Sequence, residues 1–61
     1  MEELFTVEEV AERLKLSQKT IRRLIERGDL PAIRFDRVIR IKQADLEAFL
    51  EKRRLVTGEE Q

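Results

Sequence analysis

Sixty-one residues with 43% charged side chains, 41% hydrophobic ones and no net charge make one small domain, able to bury roughly 60% of its extended-chain surface. The absence of Cys and His excludes disulfides and the usual zinc, haem and iron–sulfur ligand sets. No apolar run approaches the ~20 residues of a membrane span, and the start M-E-E-L-F lacks the charge and apolar stretch of a signal peptide, so a cytoplasmic location is expected.

The zero net charge hides a segregation. Residues 1–12 hold five acids and no base, residues 13–42 carry a net +7, and residues 43–61 a net −2. A concentrated basic tract says more about partners than the total does.

In chain order, Leu4 and Phe5 lead into T-V-E-E, which fits a capping box with Thr6 as N-cap and Glu9 at the third helical position. Phe5 and Val10 are placed to form a hydrophobic staple across that start. A first helix is expected over about 7–14, with Val7, Val10, Ala11 and Leu14 on its buried side. Glu8, Glu9 and Glu12 face solvent, the first two near the positive end of the helix dipole.

Lys15-Leu16 makes a short connection, and Ser17 caps a second helix that closes at Gly28. Only Ile21, Leu24 and Ile25 are apolar there, and they fall within one third of the circumference. Opposite them stand Lys19, Arg23 and Glu26, flanked by Arg22 and Arg27. A narrow apolar seam under a mostly cationic face suits a helix that docks on a domain and presents itself to a polyanion. Two short helices joined by a turn of about three residues, the second one basic, outline a helix-turn-helix.

Pro31 prevents the second helix from continuing. A-I-R-F-D-R-V-I-R-I then alternates like two strands around a turn. A two-residue loop at Asp36-Arg37 would pair Phe35 with Val38 but set Ile33 opposite Arg40. A three-residue loop over 36–38 pairs Phe35 with Ile39 and Ile33 with Ile41, gathering four apolar side chains on one side, and is the expected register. It also sets Arg34 across from Arg40, an arrangement that suits an anion between them. A third helix is expected from about Gln43 to Arg54 or Leu55, its stripe of Leu46, Phe49 and Leu50 forming core. The domain is taken as 1–55, with residues 56–61 a flexible tail.

The run F-T-V-E-E-V-A-E-R-L-x-L-S-x-x-T-I-R-R-L-I-E-R-G-x-L-P-A, an arginine-bearing hairpin, and A-D-L-E-A-F-L together resemble the excisionase-family DNA-binding domain, related to the DNA-binding end of MerR-type regulators. The resemblance covers about residues 3–53. It implies a mostly α fold with a small β-hairpin, a winged helix-turn-helix whose second helix enters the major groove and whose two-stranded wing touches the backbone or the minor groove. It matches Ser17 and Thr20 to phosphate-holding positions, Gln18, Lys19, Arg22 and Arg23 to groove-facing positions, and Arg34, Arg37 and Arg40 to the wing arginines. Three residues depart from the pattern: Lys15 and Asp36 stand where the family often has glycine, and Ile39 replaces a frequent aromatic.

The resemblance implies sequence-specific binding of double-stranded DNA by a bacterial or phage protein, as a transcription regulator or a recombination directionality factor. Cooperative self-association on DNA, a nucleoid-associated location and the absence of cofactor, metal or small-molecule effector are expected with it. The alternative is a protein–protein adaptor or antitoxin-like module that meets an acidic partner. An enzyme is not expected: there is no His, Cys, Tyr or glycine-rich phosphate loop, and every carboxylate has a capping or surface role.

Overall fold

A computed structural model describes residues 3–53. They form β1 (Leu4–Phe5), α1 (Val7–Leu14), α2 (Gln18–Glu26), β2 (Ile33–Phe35), β3 (Val38–Lys42) and α3 (Gln43–Lys52). The expected tail and the last expected residues of the third helix, Arg54 and Leu55, lie outside the described residues.

Local chemistry explains the helix starts. The Glu9 amide donates to Thr6 Oγ1 at 3.0 Å and the Thr6 amide donates to Glu9 Oε1 at 2.9 Å, which completes the capping box of α1. Ser17 Oγ accepts from the Thr20 amide at 3.1 Å and starts α2.

Both helices end in the same way. At the end of α1 the Lys15 amide donates to Glu12 O and the Leu16 amide to Ala11 O, with Lys15 in the left-handed region at φ 58°. At the end of α2 the Gly28 amide donates to Ile25 O and the Asp29 amide to Leu24 O, with Gly28 at φ 83°. Each is the paired closure of a Schellman motif.

The sheet has the order β1-β3-β2, antiparallel throughout. Its third strand, β1, goes beyond the expected two-stranded wing: Phe5 pairs with Ile41 and Leu4 with Lys42, ahead of the helix-turn-helix. The hairpin register also differs from the expected one. Phe35 pairs with Val38, Arg34 with Ile39 and Ile33 with Arg40, around the two-residue loop Asp36-Arg37. The loop places its positive φ, 59°, on Asp36. A short polar side chain tolerates that region far better than the β-branched Val38, on which a three-residue loop would have relied. Turn chemistry therefore outweighs apolar alternation. As a result Arg34 and Arg40 fall on opposite sides of the ribbon and are not cross-strand neighbours. Phe35 is left 50% exposed on the outer side with Val38.

The core unites Phe5, Val7, Val10, Ala11, Ile21, Leu30, Ile41, Leu46 and Phe49. At ~1.5–3 kcal/mol for each large side chain buried, so few anchors give a modest hydrophobic contribution. The structure corrects one expectation here and adds one core residue. Leu50 is 43% exposed and not core, whereas Leu30, in the exit after α2, is fully buried. The sequence stripe on α3 is wider than the surface available to cover it.

Two arginines stack on core rings: Arg13 lies 4.4 Å from the Phe5 centroid and Arg53 lies 4.1 Å from that of Phe49. Asp29 pairs with both Arg27 and Arg53, linking the exit of α2 to the end of α3. No helix among the described residues is long and apolar enough to cross a membrane.

Candidate nucleic-acid interface

The second helix touches the core with little of its surface. Ile21 is fully buried and Leu24 and Ile25 are half-buried, while Gln18, Lys19, Arg22, Arg23, Glu26 and Arg27 are exposed. A helix held along one seam, capped at Ser17 and closed at Gly28, is a rigid mount for the side chains opposite that seam.

Ser17 and Thr20 turn toward each other, their hydroxyls 2.9 Å apart. The amides of Gln18 and Lys19, in the first turn, have no intrahelical acceptor, so the helix start retains donors for an anion.

Gln18 and Arg22 form one wall of a cleft of about 470 Å³. The wing forms the second wall with Arg37, Val38, Ile39 and Arg40, and the start of α1 forms the third with Thr6, Val7 and Glu8. Four of the nine expected site residues thus meet here. Two helix N-termini also converge, each adding the partial positive charge of its dipole. Lys19, Arg22, Arg23 and Glu26 line a second open depression of about 380 Å³. Arg22 belongs to both, so the basic surface runs unbroken from the wing onto the outer face of α2.

The cations of this surface are largely uncommitted. Ion pairs between described residues form only at Asp29, and those use Arg27 and Arg53. Arg40 is partly buried and its guanidinium Nη1 donates to Ile39 O at 2.9 Å, which holds the head group against the wing backbone. Arg37 sits at the exposed wing tip beside Asp36. Arg34 is exposed but lines neither depression, and the register places it on the side of the sheet opposite Arg40.

Sequence reasoning missed the contribution of α1. Thr6, Val7 and Glu8 enter the cleft because the helix-turn-helix angle brings the first turn of α1 beside that of α2. Nothing local to T-V-E-E signals this. Glu8, exposed as expected, also lines this cleft with Gln18, Arg22, Arg37 and Arg40.

A family profile described as a helix-turn-helix domain matches residues 4–54, and the chain belongs to that family. A Bacillus subtilis (strain 168) relative named "Uncharacterized protein YvgK" is 44% identical over 45 residues, covering 74% of this chain and 15% of YvgK. "Putative DNA-binding protein Rv0500A" of Mycobacterium tuberculosis (strain ATCC 25618 / H37Rv) is 39% identical over 49 residues, covering 80% of this chain and 63% of Rv0500A. The same figures hold for "Putative DNA-binding protein MT0521" of strain CDC 1551 / Oshkosh. The chain therefore spans less than two thirds of the length of each of these relatives.

Proposed function

We propose that this chain binds double-stranded DNA in a sequence-dependent way, with α2 in the major groove and the β2–β3 wing against the sugar-phosphate backbone. The observation that carries this reading is the cleft in which Gln18, Arg22, Arg37 and Arg40 meet the starts of α1 and α2. Phosphate is the ligand suited to converging helix N-termini and arginines. Family membership and the names of the mycobacterial relatives support the same reading.

The roles divide by position. Arg22 and Arg23 stand on the outer face of α2, where an arginine fork matches guanine O6 and N7, and Gln18 can match adenine. Lys19 faces the groove beside them, Arg34, Arg37 and Arg40 supply attraction that does not depend on sequence, and Ser17 and Thr20 frame the helix start against a phosphate. The protein then serves as a transcription regulator or a recombination directionality factor associated with the nucleoid. A single module makes a small DNA interface, so several copies bind adjacent sites, the acidic residues 1–12 of one copy meeting the basic surface of the next.

Fluorescence anisotropy with a generic duplex at 50 and 200 mM salt tests the reading. Six exposed or wing cations predict a log–log slope of about −4 to −6, and Arg37→Ala lowers the slope by about 1 while weakening all sequences alike. Arg23→Ala instead weakens a selected site by ~1–3 kcal/mol and leaves generic binding less affected. A wild type that ignores duplex DNA at low salt overturns the proposal in favour of an acidic protein partner.

A further inference from the structure

One carboxylate in the basic surface has no structural employment. Glu26 lies in the last turn of α2, three and four residues after Arg23 and Arg22 and seven after Lys19. The four side chains line one depression, and the usual i,i+4 attraction between Arg22 and Glu26 is available. Yet Glu26 forms no ion pair with any described residue and caps nothing.

Its angular position is informative. At 100° per residue, Lys19 and Glu26 lie within 20° of each other, almost opposite the centre of the Ile21–Leu24–Ile25 seam. Arg22 and Arg23 flank this midline on either side. In a helix laid into a groove the midline lies nearest the floor, where a short side chain meets base edges, while from the flanks only a long side chain such as arginine still reaches them. Glu26 is thus directed away from phosphates and toward base edges. Lys19 and Glu26 are separated along the axis by about 10 Å, or about three base-pair steps.

On the floor of the major groove a carboxylate can only accept. Guanine shows it two acceptors, thymine an acceptor and a methyl group, and adenine an acceptor beside its amino group. Cytosine shows the N4 amino donor alone. The same carboxylate is repelled by guanine and thymine, which show it no donor, and is held less well at adenine, where the N7 acceptor lies beside the amino group. We infer that Glu26 is a specificity-determining residue that reads a cytosine N4 amino group in the major groove, between arginines able to take the guanines that neighbour or pair with it. This inference rests on the DNA-binding reading and adds to it a base class and the residue that selects it.

Selection from a randomised duplex library with wild type, Glu26→Ala and Glu26→Gln tests it. Glu26 is exposed, and thermal melting checks that both variants stay folded. Wild type is expected to yield a site with one position where cytosine is preferred by about tenfold. Glu26→Ala loses the preference at that position alone, and Glu26→Gln turns it toward adenine, which offers glutamine both a donor and an acceptor. A Glu26→Ala protein that keeps every preference and merely binds all sequences more tightly overturns the inference, because the carboxylate then only repels phosphate. In that outcome the DNA-binding reading survives. A wild type that neither binds duplex DNA nor enriches any sequence overturns both.

Discussion

The two helix exits use one hydrogen-bond pattern on opposite terms. The exit of α2 places glycine at the left-handed position and follows it with Leu30, which is 0% exposed. The exit of α1 places Lys15 there and follows it with Leu16, which is 44% exposed. The first exit is locally unstrained and anchored in the core. The second is strained by its side chain, at a cost of ~1–2 kcal/mol, and is held chiefly by the packing of the helices on either side. The comparison shows how a turn can persist without favourable local chemistry: Val10, Ala11 and Ile21 are buried and determine where α2 begins. The α2 exit needs local support because the chain must leave that helix and reach the sheet within a few residues.

Breaking the anchored exit has the largest expected effect. Leu30→Ala removes a fully buried side chain and should cost ~2–5 kcal/mol by chemical denaturation. For 61 residues, total stability is roughly 3–9 kcal/mol, so this variant should be substantially unfolded at room temperature. Gly28→Ala comes next, at ~1–2 kcal/mol. A Cβ at Gly28 meets nothing within 4 Å, so the whole loss is conformational and should show as a lower midpoint with an unchanged denaturant slope.

The other exit should respond with the opposite sign. Lys15→Gly relieves the left-handed side chain, and net of the entropy glycine adds to the unfolded chain should stabilise by up to ~1 kcal/mol in the same assay. Leu16→Ala should have the smallest effect, within about 0.5 kcal/mol, as expected of a residue with so much of its surface in solvent. If Leu16→Ala costs as much as Leu30→Ala, the two exits are equally anchored and the contrast fails.

Sequence and structure agree where the physics is short-ranged. The capping box at Thr6 and Glu9, the cap at Ser17 and the stop at Gly28 each involve residues three to five apart, and all were legible. The hairpin register was not. Alternation favoured gathering Ile33, Phe35, Ile39 and Ile41, but the turn takes its strained backbone angle at Asp36 and shifts the pairing by one. Strand β1 escaped because two residues carry no periodicity, and only their distant partners make them a strand. Leu30 was hidden between turn residues, where an apolar side chain gives no pattern.

The candidate site divides in the same way. The cationic face of α2 follows from helical spacing alone. The meeting of that face with Arg37 and Arg40, and the intrusion of Glu8, depend on how the helices and wing are arranged in space. The one-residue shift also separates Arg34 from Arg40, which the expected register had set face to face.

The pairing of β1 with the end of β3 also constrains the order of events in time. Phe5 is 4% exposed, and its strand partner Ile41 follows it by more than half the chain. A ribosome therefore delivers Phe5 well before the residue that completes its burial. The helix pair, whose contacts are close in sequence, can form during that interval with one apolar flank open. Closing the sheet is then a late event that makes the whole domain cooperative, and a stalled nascent chain ending before Ile41 would present that flank to whatever binds exposed apolar surface.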